Sequence, residues 1–258
     1  MITRWFGRGF PVTVASPRPF HAKLEAAKIA LRRARRVAVL TGAGISAESG
    51  LPTFREPQTG LWAQYKPEDL ANANAFANNP ELIWNWYAWR LEMCRRAVPN
   101  AGHLALASAQ QHRELTLVTQ NVDGLHARAG SAGVIELHGN LERARCTACR
   151  NVQNLEGELR VPPRCTLCGA MLRPDVVWFG EDLPRLALAT AKAAFTTCEV
   201  ALIVGTSGLV QPAAGLAGIA KRNRTVVIEI NPLETALTGI ADHALRGPSS
   251  ELLPALLE

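Results

Sequence analysis

The sequence lacks an apolar run of membrane-spanning length. Its longest uncharged stretch, VALIVGTSGLVQPAAGLAGIA at 200–220, is broken by four glycines, a proline, a glutamine, a threonine and a serine. It reads as a buried strand, a turn and the start of a helix. Acidic residues are missing before Glu25, where Arg4, Arg8 and Arg18 fall, a pattern that suits a basic extension or a transit peptide. The first twenty residues also lack a continuous apolar segment, which argues against a secretory signal. They are expected to lie outside the core, with the cytoplasm as first compartment and the mitochondrial matrix as second. Internal repeats are absent, and the low-complexity content stops at ANANAFANN, which argues against solenoid and disordered classes.

With 258 residues and 48% hydrophobic content, the chain can bury a large core. The formal charge of +6 is spread out, apart from LRRARR at 31–36 and the neighbourhood of the cysteines. A balance of this size suits an acidic ligand or substrate and is only weak evidence for nucleic acid, which is not the expected partner; a membrane is not expected either. Buried-strand patterns fall at 37–41, 115–119, 134–137, 200–204 and 225–230, with helical patterns at 21–35, 80–97, 102–112 and 184–197 between them. Strands alternating with helices predict an α/β fold with a Rossmann-like parallel sheet, whose ligands sit beyond the carboxyl ends of the strands. Two segments break that rhythm, a tryptophan-rich helical insert and a cysteine-bearing stretch. The expected division is an N-terminal extension at 1–20, a Rossmann-like domain from 21–54, 101–139 and 174–258, and a smaller domain. The smaller domain combines a helical part at 55–100 with a zinc-ribbon part at 140–173.

GAGISA at 42–47 fits G-x-G-x-x-A after a strand, so its glycines could admit a pyrophosphate to a helix N-terminus; a tight strand-to-helix turn explains the same residues. The acid expected about twenty positions later is absent from a second-strand context, which separates this segment from a dehydrogenase fingerprint. Cys146, Cys149, Cys165 and Cys168 form C-x2-C-x15-C-x2-C, the spacing of a tetrahedral zinc site. Four thiolates leave no position for water, so the one ion is expected to be structural, with Arg143, Arg145, Arg150 and Arg164 offsetting its negative charge. Cys94 and Cys198 read as buried thiols. His138 follows the apolar run VIEL and precedes a glycine, a position where a neutral imidazole can accept a proton. His103, His112 and His126 fall on helical patterns and read as surface or packing residues.

In ELIWNWYAWRLEMCRR, residues 81–96, Tyr87 and Arg90 lie three apart and share a helix face. A phenol and a guanidinium fork there could grip a planar anion, whereas a plainer arrangement pairs Arg90 with Glu81 or Glu92.

In combination, GAGISAESGLPTFRE, TQNVDGLH, LHGNL, the paired C-x2-C, RPDVVWFGE, GTS and NPLET resemble, in order, the motifs of the sirtuins, NAD-dependent protein-lysine deacylases. The resemblance runs from about residue 24 to the C-terminus. It implies that His138 and Asn121 are catalytic, and that Gly42, Ala43, Gly44, Ser46, Thr53, Phe54, Arg55, Gln120, Asn121, Asp123, Gly205, Thr206, Ser207, Asn231 and Ser249 line an NAD site. It implies that Val177, Trp178, Phe179, Gly180 and Glu181 bind the substrate main chain as an added strand, although a core strand ending in a turn fits the same letters. Tyr87 and Arg90 match the pair that marks the subgroup resembling the mitochondrial desuccinylase and bacterial deacylases, where they bind the distal carboxylate of a succinyl, malonyl or glutaryl lysine. Ala71 matches the small residue that makes room for it. The products implied are nicotinamide and O-acyl-ADP-ribose, the partner an acylated protein lysine, and the expected state a monomer. General deacetylation and mono-ADP-ribosyl transfer are the alternatives.

Overall fold

The computed structural model describes residues 18–53, 62–157 and 159–258, with side chains from His21 onward. Helix α1 (Arg18–Arg33) leads into β1 (Arg36–Thr41), and two short 3-10 turns, Ala43–Ile45 and Ala47–Ser49, follow it. The helical insert comprises α2 (Pro67–Leu70), α3 (Ala73–Asn78) and α4 (Pro80–Arg96). The chain returns through α5 (Ala101–Ala109), β2 (Glu114–Thr119), α6 (Leu125–Arg128) and β3 (Ile135–Glu136). A ribbon of β4 (Gly139–Cys146), β5 (Val152–Asn154) and β6 (Leu172–Val176) precedes α7 (Arg185–Thr197) and β7 (Val200–Val204). The chain closes with α8 (Gly215–Arg222), β8 (Val226–Ile230), β9 (His243–Leu245) and α9 (Ser249–Leu257).

Among the described residues the larger sheet has the order β3-β2-β1-β7-β8-β9, and all its pairings are parallel. Strands β1 and β7, side by side, are buried along nearly their whole length, which is why they read as continuous apolar runs rather than as an alternation. One face packs Val37, Val39, Leu117 and Leu202 against α1, α5 and α9; the other packs Leu40, Ala201 and Ile203 against α7 and α8. From β1 the strands are added outward in one sense through β2 and β3 and in the other from β7 through β8 and β9, so the crevice for a ligand opens at the carboxyl ends of β1 and β7. The uncharged stretch at 200–220 is β7, a turn and the opening of α8, as its glycines and proline suggested. Among the described residues no helix is long and apolar enough to cross a membrane.

The insert and the ribbon share a third core. Helix α4 starts at Pro80, with the Asn79 side chain accepting from the Leu82 amide at 3.0 Å, and carries Arg95 and Arg96 in its last turn. Its buried side chains Ile83, Trp84, Tyr87, Leu91 and Cys94 recur at helical spacing and pack on Leu141, Ala144, Leu172 and Trp178. Trp84 Nε1 donates to the Leu172 carbonyl at 2.8 Å, fastening α4 to β6. The ribbon strands reach beyond 140–173, because β4 starts at Gly139 and β6 runs to Val176. The strand read at 134–137 shortens to Ile135–Glu136 at the sheet edge.

Candidate active site

Glycines bring the first loop against the last. A Cβ on Gly44 would lie 2.7 Å from Gly205 Cα, and one on Gly42 would lie 2.8 Å from Thr206 Cβ. Gly205 itself has φ +59, and a side chain there would drive into the Ile45 amide. Both readings of GAGISA therefore hold something: the glycines make a tight turn, and that turn is packed onto GTS by main-chain contact. The Gly44 amide donates to the Gly205 carbonyl at 2.8 Å. A cleft at this junction is lined by Gly44, Ala47, Glu48, Gly205, Ile230 and Ser249. The expected residues Gly42, Ala43, Gly44, Gly205, Thr206 and Ser249 are thus together, and Gln120 joins them by donating to Thr206 Oγ1 at 2.9 Å. Ser249 donates to Glu48, while Asn231 spends its amide on the Leu233 carbonyl. Phe54 and Arg55 lie outside the described residues, and Thr53 is the last residue before that segment.

Beneath the loop lies a buried polar hub. Ser46 Oγ donates to Asp123 Oδ2 at 2.7 Å and accepts from Asn121 Nδ2 at 3.1 Å. Its remaining lone pair faces His103 Nε2 at 3.4 Å; that nitrogen carries the proton, since His103 Nδ1 accepts from the Asn100 amide. Asp123 Oδ1 accepts from the Leu125 amide at 2.9 Å. Burial pushes the Asp123 carboxyl up, an effect opposed by the Leu125 and Ser46 hydrogen bonds and by the Arg90 and Arg128 charges. Next to this hub, Thr41 Oγ1 donates to Thr119 Oγ1 and takes the Nε2 proton of His126 at 2.9 Å. His103 and His126 stack with centroids 4.9 Å apart, and burial lowers them to about 4 and about 3, so both are neutral. Of the two expected readings, surface or packing, both take the second: the helices that carry them turn these faces inward. The Asn100 to His103 capping box at the start of α5 was the signal available in sequence.

His138 follows β3, where its Nδ1 lies 2.9 Å from the Gln120 carbonyl. A carbonyl only accepts, so Nδ1 holds the proton and Nε2 is left as the acceptor. Burial lowers its pKa below the ordinary value, with the Gln120 contact acting the other way. The imidazole is therefore neutral at physiological pH, the form a general base requires.

On the insert side, Tyr87 is buried, and its hydroxyl oxygen accepts from Trp178 Nε1 at 2.9 Å. Arg90 lays its guanidinium 4.9 Å from the Trp86 ring centroid and 6.0 Å from that of Tyr87. Glu92, one expected partner, pairs instead with Arg96 at 2.7 Å. Ala71 is buried, and its carbonyl accepts from the Phe179 amide at 3.0 Å. The segment at 177–181 departs from an extended strand. Strand β6 stops at Val176, and the amides of Val177, Trp178, Phe179 and Glu181 bond to His138, the Glu181 carboxylate, Ala71 and Trp178 respectively. Pairing with an added chain would fall to the Gly180 amide and to carbonyls. Glu181 is held by Arg173.

The four cysteines converge as their spacing required. Their sulfurs lie within 4.8 Å of one another, with separations of 3.5, 3.7 and 3.6 Å for three of the pairs. Zinc–sulfur bonds of about 2.3 Å in a tetrahedron put sulfurs about 3.8 Å apart, so the cluster fits one zinc ion. The Ala148 and Cys149 amides point at Cys146 Sγ, both at 3.4 Å. Two of the arginines expected to offset the thiolates do something else: Arg143 pairs with Glu136 and Asp175, and Arg145 with Asp175, because strand alternation turns them away from the knuckles.

A family model described as Sir2 matches residues 42–212, the span holding the glycine loop, the hub, His138 and all four cysteines. The chain belongs to the Sir2 family. It is 50% identical over 244 residues, 94% of its length and 96% of the relative's, to a protein of Ralstonia nicotianae named NAD-dependent protein deacylase. A Sir2 homologue solved with NAD superposes with a TM-score of 0.86 at 48% identity, covering 90% of this chain and 92% of that one. A Sir2 protein solved with a p53 peptide and NAD+ superposes at 0.79 with 32% identity, covering 92% and 95%. The Sir2 fold accounts for the fingerprint acid that is absent near residue 65: the helical insert stands between β1 and β2.

Proposed function

We propose that this Sir2 protein removes acidic acyl groups, succinyl, malonyl and by extension glutaryl, from protein lysines at the expense of NAD, with weaker action on acetyl-lysine. The observation that carries the acyl preference is the Tyr87 hydroxyl. Its oxygen is taken by Trp178, burial raises its pKa to about 12 so that it keeps its proton, and among the described residues no acceptor meets that proton. A buried donor without a partner costs about 1–3 kcal/mol. A carboxylate at the end of the acyl chain would accept from Tyr87 and meet Arg90 on the same helix face, whereas an acetyl group offers neither contact.

Bound NAD supplies an electrophilic ribose carbon with nicotinamide as its leaving group. Toward it the chain offers the glycine turn, a Ser46–Asp123–Asn121 hub in which the Ser46 hydroxyl is fully bonded, and the cleft by Ser249 for the far end of the cofactor. His138 Nε2 takes the proton of a ribose hydroxyl while Gln120 keeps the ring in the required tautomer. Cys146, Cys149, Cys165 and Cys168 would hold a zinc ion that braces the ribbon, with all four positions taken by thiolates. A zinc thiolate cluster and two further buried thiols suit a reducing compartment, which supports the cytoplasm as location.

A second reading rests on Arg90, whose charge also offsets the burial of Asp123, so that it could serve the hub alone. Turnover of the full chain on succinyl-, malonyl-, glutaryl- and acetyl-lysine peptides with NAD, read by mass, tests the choice. The expected result is higher kcat/KM on the dicarboxylic acyl groups. Equal or higher values on acetyl-lysine would leave a general deacetylase, and transfer of ADP-ribose to protein without deacylation would favour the transferase.

A further inference from the structure

We infer that Trp178 is a specificity-positioning residue: its indole N–H, by occupying the lone-pair side of the Tyr87 oxygen, obliges the phenol to act as a donor toward the acyl group. The inference rests on the acidic-acyl reading above and names the residue that enforces it.

A tyrosine hydroxyl can both donate and accept, and an unrestrained one would pair with a water or an N–H donor as readily as with an acyl-group acceptor. The 2.9 Å bond from Trp178 Nε1 removes that freedom. An indole nitrogen only donates, so the oxygen can only accept there, and the phenolic proton is directed elsewhere. The indole in turn has little freedom to move. Its ring carries the Arg173 guanidinium at 3.5 Å from the centroid and meets the Phe76 ring at 5.2 Å, while the Trp178 amide donates to Glu181. Arg173 is clasped by Glu181 and bonds the Val176 carbonyl at 2.9 Å. Thus Glu181 and Arg173 hold the tryptophan, the tryptophan orients the tyrosine, and the tyrosine presents a proton to the pocket. Trp178 is buried, so neither solvent nor a substrate main chain supplies the competing partner for its N–H.

The test compares wild type, Trp178→Phe, Tyr87→Phe and the double variant, together with Arg90→Met, on succinyl- and acetyl-lysine peptides, with the ratio of the two kcat/KM values as the readout. Trp178→Phe should lower the succinyl-to-acetyl ratio about 3- to 10-fold, mainly through KM, as loss of one neutral hydrogen bond implies. On the Tyr87→Phe background the same change should have no further effect on the ratio, because there is no hydroxyl left to orient. Benzothienylalanine at position 178 keeps the indole shape without the N–H and should repeat the Trp178→Phe result if the phenylalanine variant folds poorly. An unchanged ratio in Trp178→Phe, while Tyr87→Phe and Arg90→Met collapse it, would overturn the role of Trp178 and leave the acyl reading standing. A ratio unmoved by Tyr87→Phe and Arg90→Met would overturn that reading itself. A full Trp178→Phe loss on the Tyr87→Phe background would show that the indole acts by another route.

Discussion

Two groups of buried polar side chains, one under the glycine loop and one around Tyr87, differ in how their hydrogen bonds close. In the hub under the glycine loop, Ser46 uses its donor and both lone pairs on Asp123, Asn121 and His103. Around Tyr87, the chain of contacts from Glu181 through Arg173 and Trp178 ends on a hydroxyl whose proton has no acceptor among the described residues. Ser46 and Tyr87 are both buried, so the contrast between these two hydroxyls lies in satisfaction and not in burial, while the nearby His126 Nδ1 also lacks a partner among the described residues. A closed network holds a loop in one geometry, whereas an open one marks the place where a ligand completes the bonding.

The largest effect is expected at His138, the proposed proton acceptor, which belongs to neither group. His138→Ala should lower deacylation about 10²- to 10⁴-fold on every acyl group while NAD binding by calorimetry persists, because the lost group is asked to transfer a proton. Retention of a third or more of wild-type turnover would remove it from that role. Metal removal should act on one side first. Cys146 and Cys165 share a core with Tyr87 and Trp178, so a chelator, or Cys149→Ser, should lower the melting temperature and loosen acyl selectivity before NAD affinity falls. Equal stability with and without metal would refute the structural site.

Acid should attack the hub selectively. His103 and His126 are depressed to about 4 and about 3, both chiefly by burial, from an ordinary value of 6.5. Below pH 6.5 the unfolded chain takes up these protons and the folded chain does not, so the stability present above that pH is lost as pH falls toward 4. Between pH 7 and pH 5 the two sites should cost on the order of 2–4 kcal/mol in urea unfolding. His126→Gln should flatten that dependence; an unchanged slope would mean that the pair does not set it.

On the open side, Arg90→Met should reduce the succinyl-to-acetyl ratio about 10- to 100-fold, as expected for a charge-assisted contact. Equal proportional losses on both peptides would assign Arg90 to Asp123 and the hub. The smallest effect is reserved for Thr41→Val, which leaves the His126 Nε2 proton without its acceptor and should cost about 1–2 kcal/mol of stability by urea titration with little movement of that ratio. A large change in acyl selectivity would show that the two groups are coupled and that the contrast between them is artificial.

Much of this arrangement was legible before folding was considered. The alternation of strand and helix patterns, the glycine turn, the cysteine spacing and the place of His138 after VIEL all depend on local chemistry, and each recurs where it was read. Other features could not be read in that way. His103 and His126 looked like ordinary helical histidines, since nothing in the neighbouring letters tells which helix face turns inward. Arg143 and Arg145 sat beside cysteines in sequence but answer acids on other strands in space. The segment at 177–181 carries the letters of an extended strand, yet its amides are spent on His138, Ala71 and its own turn.

The sequence by itself determined the α/β class, the convergent thiols and the shared helix face of Tyr87 and Arg90, because these follow from spacing along the chain: a period of two or 3.6, a C-x2-C knuckle, an interval of three on a helix; the Sir2 resemblance came from the motifs themselves. The tertiary structure decided which donors and acceptors remain unmatched. Ser46 meets a residue 77 positions away, and Tyr87 meets one 91 positions away. No local rule reaches across such separations. Hydrogen-bond satisfaction belongs to a place in space where several distant segments converge, and only folding brings the Trp178 N–H to the Tyr87 oxygen.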